Sequence, residues 1–324
     1  MKNKLLTLAS LLAAFNLNAI EIGPTGSGVD MSGFVDMAYG ERGSAAPDAF
    51  SGQVELNFNY TAGPVSSAVG LDFGAGSAYG GGDNLEEAYI TYDFGNGLSV
   101  TMGRMLTYMG FEAFDAPAMY QMTYAYDVAY AADQALAVPT GLGPQDIYDS
   151  YDYGASVDYG TDAFSVGLWS SLEEGAGYEI ALAFTGVENF TAKAIWSDFG
   201  DATSDPYEKS TFWVSYQMGP TLLAAEVAES DQTTGGDDID GVMVMANYAI
   251  NDAAALTLRY SEQEITTQAG VIEYDGSKFT ISPSYMFTDS FVGLLEYSSY
   301  DGDITSATYG EPEEFMGAEF IFTF

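Results

Sequence analysis

The sequence predicts an all-β fold, a transmembrane antiparallel β-barrel of sixteen strands, on three observations. Apolar and polar residues alternate with a period of two along most of the chain, which is typical of strands with one apolar face. Tight turns alternate with longer loops between these strands. After the first segment, no apolar run reaches the roughly 18 residues that a membrane helix needs. An even number of antiparallel strands with such connections is the layout of an outer-membrane barrel.

The composition excludes several classes of function. The 324 residues include no His and no Cys, which rules out disulfides, thiolate or imidazole metal ligands, and Ser-His or Cys-His nucleophiles. The 47 acidic residues against 8 basic ones give a charge of −39, which repels the phosphates of nucleic acids. A hydrophobic share of 47% offers too much apolar surface for a disordered chain. We therefore expect no enzyme, no cofactor and no nucleic-acid partner.

The first 19 residues have the organisation of a cleaved signal peptide. Lys2 and Lys4 precede an apolar core from Leu5 to Phe15, and small or polar residues follow up to Ala19. The core is too short to span a bilayer, and its following flank is acidic, so an anchoring helix is the weaker interpretation. We expect residues 1–19 to direct export and residues 20–324 to form a single barrel domain.

Sixteen segments carry the alternation. In the second, Val54 and Leu56 share one face with later aromatic residues, while Gln53 and Glu55 share the other. A soluble all-β protein is the alternative, because alternation alone does not distinguish lipid from a protein core. The predicted strands cover residues 29–39, 54–60, 65–73, 88–94, 98–102, 153–159, 164–168, 178–184, 190–196, 212–218, 223–227, 242–250, 256–260, 279–287, 291–297 and 316–324.

The connections alternate in length. Tight turns rich in Gly, Pro, Asn and Asp are predicted at 62–64, 95–97, 160–162, 186–189, 219–220, 251–253 and 288–290. The other connections are mostly longer and acidic, and they are predicted to be extracellular, as at 40–49, 229–241, 261–277 and 300–314. Residues 105–150 form the longest, which is the third extracellular loop by count. A loop of this length in a compact fold is usually functional.

Two parts of the chain resemble known outer-membrane proteins. The segment Phe320-Ile321-Phe322-Thr323-Phe324 resembles the signal that the barrel assembly machinery recognises, with Phe320, Phe322 and Phe324 as its aromatic positions. Residues 86–172 resemble the OmpL-like family of β-barrel porins, and hairpins such as 282–296 fit it as well. The matching motifs are Glu87-Ala88-Tyr89-Ile90-Thr91-Tyr92, the run from Gly97 to Arg104, Gly110-Phe111-Glu112 and Asp115-Ala116-Pro117.

This resemblance implies a bacterial outer-membrane channel for passive diffusion of small hydrophilic solutes and ions. It also implies that the third loop folds into the barrel and narrows the pore, and that a basic wall residue, here Arg104, precedes the loop. The Pro-Glu-Phe-Gly-Gly sequence of many porin loops is missing, which leaves the path of the loop open. The implied partners are outer-membrane lipids and lipopolysaccharide, the barrel assembly machinery, small solutes or cations, and further copies of the chain in a homotrimer.

Charged residues of the third loop and of the strands are candidates for the pore lining. Carboxylates in a constriction attract cations and repel anions, although acids solvated at the barrel mouth would have the same sequence. Arg104 shares its parity with Val100 and Met102, so it faces inward only if Gly103 breaks the alternation. The candidate constriction residues are Arg104, Glu112, Asp115, Asp127 and Asp133, and parity gives Lys193, Arg259, Lys278, Glu226 and Glu296 as lumen-facing candidates.

These assignments predict a cation-preferring channel. Pairs of lumen acids and bases would hold a transverse field across the pore, stabilise the barrel, or do both. The alternative function is a closed-lumen barrel that serves as a surface receptor, an adhesin or a structural protein. Acidic clusters at 237–241 and 301–303 offer oxygen ligands for calcium, but they lack a full twelve-residue binding loop, so no metal site is predicted.

Overall fold

The structure of the chain is a computed structural model that describes residues 19–22, 26–42, 49–75, 84–112, 114–127, 130–131, 147–148, 151–172, 177–199, 207–232, 237–305, 309–310 and 314–324. Residues 1–18 of the predicted signal peptide lie outside this part of the chain. The wall consists of β1 (Val29–Arg42), β2 (Ala49–Ala62), β3 (Val65–Ala75), β4 (Leu85–Asp93), β5 (Leu98–Leu106), β6 (Tyr151–Gly160), β7 (Phe164–Ser171), β8 (Tyr178–Val187), β9 (Phe190–Asp198), β10 (Tyr207–Met218), β11 (Thr221–Gln232), β12 (Asp237–Ala249), β13 (Ala254–Thr267), β14 (Ile272–Thr288), β15 (Phe291–Ile304) and β16 (Glu314–Thr323).

These sixteen strands close into a barrel. Each pairs antiparallel with its neighbours along the chain, and at the seam residues 315–323 of β16 pair with residues 34–42 of β1. Closure pairs the first wall strand with the last, so the barrel has no open edge whose backbone polar groups would face lipid without partners. The predicted all-β barrel of sixteen strands is confirmed.

No helix in the described ranges is long and apolar enough to cross a membrane.

The tight turns lie where they were predicted, but the connections at the opposite end are shorter than predicted. The loop expected at 261–277 is mostly strand, because β13 continues to Thr267 and β14 already begins at Ile272. Outward residues beyond the Tyr260–Phe279 pair are polar, as at Glu262 and Asp275, while the hydrogen-bond ladder continues. The apolar alternation thus marks the lipid-facing part of a hairpin, and the hairpin itself extends further.

The outer face of the wall is apolar and aromatic. Its exposed side chains alternate with inward polar ones, which is the inverse of a soluble barrel and fits a lipid environment. Aromatic rings cluster near the tight turns, where the amphipathic Tyr side chain suits the membrane–water boundary. This girdle includes Tyr60, Tyr92, Phe94, Tyr159, Phe164, Phe184, Tyr216, Tyr248, Tyr285, Phe287 and Phe322.

Candidate pore constriction

The third loop enters the barrel and crosses its lumen. After β5 ends at Leu106, residues 107–112 run along the wall from β8 to β11, and residues 120–127 lie against β12 to β16. Between these stretches, Ala116–Ala118 form a short 3-10 turn that contacts β16. The loop therefore meets most of the wall.

Carboxylates of the wall accept hydrogen bonds from the backbone of the loop's first stretch. Glu179 of β8 accepts from the backbone N–H of Tyr108 at 2.9 Å, and Glu226 of β11 accepts from that of Phe111 at 3.0 Å. Glu226 also accepts from the hydroxyl of Tyr148, at the far end of the loop. A loop has backbone donors without helix or sheet partners, and burying them unpaired costs roughly 1–3 kcal/mol each. The wall acids meet this need.

Glu296 of β15 has the same role for the second stretch. Its Oε2 accepts from the backbone N–H of Met122 at 2.8 Å and of Thr123 at 3.1 Å. Its Oε1 accepts from the hydroxyls of Thr123 and Ser298. Each carboxylate oxygen of Glu296 therefore accepts two hydrogen bonds, and the residue is only 3% exposed.

Two wall lysines bind backbone carbonyls of the loop. The ammonium of Lys193 on β9 donates to the carbonyl of Tyr108 at 2.6 Å, and that of Lys209 on β10 donates to the carbonyl of Tyr148 at 2.9 Å. Both side chains are buried. Lys193 and Glu179 thus hold the two polar backbone groups of the same residue, which fixes Tyr108 against the wall.

Arg259 of β13 forms a buried ion pair with Glu112 of the loop. Its Nη2 also donates to the carbonyl of Tyr124 at 2.9 Å and to the hydroxyl of Thr123 at 3.1 Å. The second oxygen of Glu112 accepts from the backbone N–H of Ala125 at 2.7 Å. The pair joins the wall to both stretches of the loop at once.

Lys278 of β14 forms the second buried ion pair, with Asp127. Its ammonium donates to the hydroxyl of Thr123 at 2.6 Å and to the carbonyl of Tyr124 at 3.0 Å, and it lies 5.3 Å from the ring centroid of Tyr300. Arg259 and Lys278 share these two loop acceptors. In the described part of the chain, the basic side chains of β9 to β14 therefore anchor the loop and are hidden from water.

The wall leaves space for the loop at glycines. A Cβ on Gly241 of β12 would lie 2.5 Å from the ring of Tyr126, and one on Gly317 of β16 would lie 2.7 Å from the sulfur of Met122. Around these contacts, the loop and the inner wall form one apolar cluster that includes Met109, Tyr126, Ile147, Met243 and Phe315. The loop is docked by packing as well as by charge.

Arg104 does not join this arrangement. It pairs in register with Tyr153 of β6, whose ring is exposed on the outer face, and its guanidinium carbon lies 5.7 Å from that ring's centroid. Directly opposed residues share a face of the sheet. Gly103 has a positive φ, but the pairing of β5 with β6 continues without a shift. Hence the alternation is not broken, and the expected basic pore residue is on the outer side.

Asp115 lies on the other side of the lumen, against β2 to β4. Its carboxylate forms a cluster with those of Glu55 and Glu86, in which one oxygen atom from each carboxylate lies within 4.8 Å of the other two. Burial raises the pKa of the Asp115 carboxyl from 3.8 to about 6, and the nearby charge of Asp72 adds to the shift. Whereas the acids bound by the bases are buried, Asp72, Glu86, Glu87 and Asp115 are half-buried. This group of four is called the acidic face below.

Asp133 lies outside the described residues. The described residues nearest to it, Tyr130–Ala131, pair antiparallel with Tyr309–Gly310 in the connection between β15 and β16. The loop is thereby joined to the last extracellular connection as well.

Several functional contacts were not anticipated from the sequence. Lys209 was not assigned a face because the predicted strand began at residue 212, although extending the alternation back from Phe212 would have placed it inward. Thr123, whose hydroxyl contacts Arg259, Lys278 and Glu296, carries no sequence signal. The association of Asp115 with Glu55 depends on the loop path and could not be derived from either segment.

The geometry defines a class of protein, a sixteen-stranded outer-membrane barrel with its third loop folded into the lumen. The chain belongs to the family described as "Putative beta-barrel porin-2, OmpL-like", whose model matches residues 3–324. It is a porin-type β-barrel of the bacterial outer membrane. No curated protein sequence matches the chain.

Solved porin structures share the fold. OmpF of Salmonella typhi, in complex with daunomycin, is 13% identical with a TM-score of 0.66, covering 94% of this chain and 100% of that one. The anion-selective porin from Comamonas acidovorans is also 13% identical, with a TM-score of 0.65 over 91% and 99%. OmpT of Vibrio cholerae, an outer membrane protein in its trimer form, is 16% identical, with a TM-score of 0.64 over 91% and 99%. Similarity at these identities establishes the fold alone.

Proposed function

We propose that the protein is a passive diffusion channel for small hydrophilic solutes and ions, that it prefers cations, and that it catalyses no reaction. One observation carries the preference for cations. The inner wall bases Lys193, Lys209, Arg259 and Lys278 are all buried against the loop, whereas the acidic face remains half-buried. Water-accessible charge in the constriction is therefore negative, and a ring of carboxylates favours cations.

A reversal potential tests this proposal. Across a planar bilayer with a potassium chloride gradient and a chelator present, we expect the potential to correspond to a permeability for K⁺ several-fold above that for Cl⁻. Replacing Glu86 and Glu87 together by Gln removes two carboxyl groups of the acidic face, so the ratio is expected to fall towards one. A matched loss of two charges on the outer face, Glu262→Gln with Asp275→Asn, is expected to leave it unchanged. Preference for Cl⁻ in the unmodified protein would contradict the proposal.

Cation preference is expected to depend on pH through Asp115. Its pKa of about 6 in the folded protein lies above the ordinary 3.8, so the folded state binds the proton more tightly than the unfolded state. Asp115 therefore stabilises the docked third loop most below about pH 4, and this stabilisation is lost as the pH rises through 6. Over the same range the negative charge in the pore grows. We expect the K⁺ to Cl⁻ ratio to fall between pH 7 and pH 5, and this fall to be smaller in Asp115→Asn. An equal fall in both proteins would exclude Asp115 as the titrating group.

A closed-lumen barrel is the second candidate, because one observation favours it. Met109, Tyr126, Ile147 and Tyr148 of the loop are each less than 5% exposed inside the barrel, as in a packed core. A receptor, adhesin or structural barrel would use such a plug. Absence of conductance steps from pure, folded protein in bilayers would favour this function over diffusion.

We further propose three features of biogenesis and assembly. Residues 1–19 are removed on export, and the alternating aromatics Phe320, Phe322 and Phe324 present the chain to the barrel assembly machinery. Phe320 and Phe322 are exposed on the outer face, and Phe324 pairs through its backbone with Gly33, which supports this role. The mature barrel forms a homotrimer among lipids and lipopolysaccharide, as the trimer form of a protein with the same fold suggests.

A further inference from the structure

The carboxylates of Glu55, Glu86 and Asp115 meet from three separate parts of the chain. Glu55 lies on β2, Glu86 on β4, and Asp115 at the tip of the third loop. The pairing of β3 with β4 shifts between Gly70 and Leu71, which leaves Glu86 as an extra residue. This shift explains why both Glu86 and its neighbour Glu87 are near the lumen. Such a bulge redirects a side chain at the rim of a barrel.

Among the side chains that the structure describes, no ion pair with a base offsets this cluster. Among the described residues, the two buried ion pairs use Arg259 and Lys278, which lie on β13 and β14. Arg104 is the base nearest in sequence to Glu86, but it lies on the outer face of the wall. There its Nε donates to the backbone carbonyl of Glu86 at 3.0 Å. The further groups facing the cluster are the acids Asp72 and Glu87 and the hydroxyl of Tyr151, which hydrogen-bonds Glu86. Three to five like charges in a partly dry site repel one another strongly.

An unsatisfied oxygen points to a missing ligand. Glu55 is only 4% exposed, and while its Oε1 accepts from the side chain of Asn57 at 2.5 Å, its Oε2 has no hydrogen-bond partner in the described part of the protein. An oxygen of neighbouring Asp72 is also buried and unsatisfied. Buried acceptors normally have partners, and orphaned ones at a functional site suggest an absent water or ion.

We propose that Glu55, Glu86 and Asp115 bind one calcium ion, which fastens the tip of the third loop to β2 and β4. Only oxygen ligands are present, which selects a hard cation. Calcium takes ligands at about 2.3–2.6 Å, so ligands on opposite sides of it lie about 4.6–5.2 Å apart, and the 4.8 Å limit of this cluster fits. Magnesium demands a strict octahedron with ligands at about 2.0–2.1 Å and gives up its water reluctantly, so three carboxylates gathered from two strands and a loop suit calcium better.

The calcium ion would complete the attachment of the loop. On β8 to β15 the loop is held by Lys, Arg and Glu side chains, whereas on β2 and β4 the described side chains that meet Asp115 are the acids Glu55 and Glu86. A divalent cation converts that repulsion into a bridge. The competing arrangement is a proton held between Glu55 and Asp115, which relieves the repulsion without a metal.

Direct calcium binding distinguishes these arrangements. The full chain, folded in detergent and freed of metal by a chelator, is titrated with radioactive calcium in flow dialysis and, separately, with magnesium chloride as competitor. We expect one saturable calcium per chain, with magnesium binding at least tenfold more weakly. Glu55→Gln and Asp115→Asn are each expected to weaken calcium binding at least tenfold, and Asp301→Asn with Asp303→Asn, in the exposed end of β15, to leave it unchanged.

Thermal unfolding shows whether the variants are folded. Removing one of the clustered charges relieves repulsion, so Glu55→Gln in chelator is expected to unfold at or above the temperature of the unmodified protein. Added calcium is expected to raise the unfolding temperature of the unmodified protein and not that of Glu55→Gln. The proposal is overturned if no stoichiometric calcium binds, if both single variants bind it normally, or if magnesium binds as tightly. These results are independent of whether the barrel conducts ions.

Discussion

Arg259→Met is expected to release the third loop from the wall and to raise the single-channel conductance. The guanidinium holds Glu112, Thr123 and Tyr124 together, and it is 1% exposed. Without it, Glu112 is a buried carboxylate lacking its charged partner, and breaking a buried pair in this way costs about 3–5 kcal/mol. A loop destabilised by that amount undocks for part of the time, which widens the constriction.

Conductance and proteolysis together measure this effect. We expect larger and noisier conductance steps from Arg259→Met than from the unmodified protein, and faster cleavage by a protease added to the folded barrel. The second change Glu112→Gln is expected to restore much of the docking, because the amide oxygen still accepts hydrogen bonds and no unpaired charge remains. Glu262→Gln, on the outer face of the same strand, is the control. Unchanged conductance and proteolysis in Arg259→Met would refute the anchoring role.

Gly103→Ala is expected to prevent efficient folding of the barrel. Gly103 has φ +143°, and a Cβ there would lie 2.1 Å from the carbonyl oxygen of Ala88 and 2.6 Å from the backbone of Tyr89. Neither contact can be relieved by a side-chain rotation, since both atoms belong to the paired strand β4. Backbone strain alone costs on the order of 1–3 kcal/mol, and separating β4 from β5 opens the wall directly before the third loop.

The folded fraction measures this second effect. Folded outer-membrane barrels resist detergent and migrate differently on gels before and after heating, so the ratio of the two bands reports folding. Gly74→Ala is a matched control, because it also lies in a strand but has no positive φ and no atom within 4 Å of the added Cβ. A folded yield of Gly103→Ala equal to that of Gly74→Ala would show that the strand adapts to the added methyl group.

Local pattern was sufficient for the wall. A strand exposes alternate residues to opposite sides, so the neighbours of Lys193, Arg259 and Lys278 were enough to predict their inward direction, and these side chains do lie on the inner face. The same rule made the inward placement of Arg104 conditional on a break at Gly103 that does not occur. Strand length was less predictable, because beyond the lipid boundary the ladder between β13 and β14 continues with polar outward residues such as Glu262 and Asp275.

Contacts within the lumen were not predictable in this way. Parity gives the side on which Glu226 or Glu296 lies, but their partners include the backbone N–H groups of Phe111, Met122 and Thr123, which any sequence would offer. The loop path, and hence these partners, depends on the fit of side chains such as Met122 and Tyr126 over wall glycines. Such fit is a property of the assembled barrel.

The sequence by itself determined the barrel, the number of its strands and the acidic character of the protein, because strand alternation and turn composition act over a few residues and charge is additive. Only the tertiary structure decided which charges remain available. It buried the basic residues of β9 to β14 against the third loop and left the acidic face partly open to water, since residues as distant in sequence as Glu112 and Arg259 meet only when the loop crosses the closed wall.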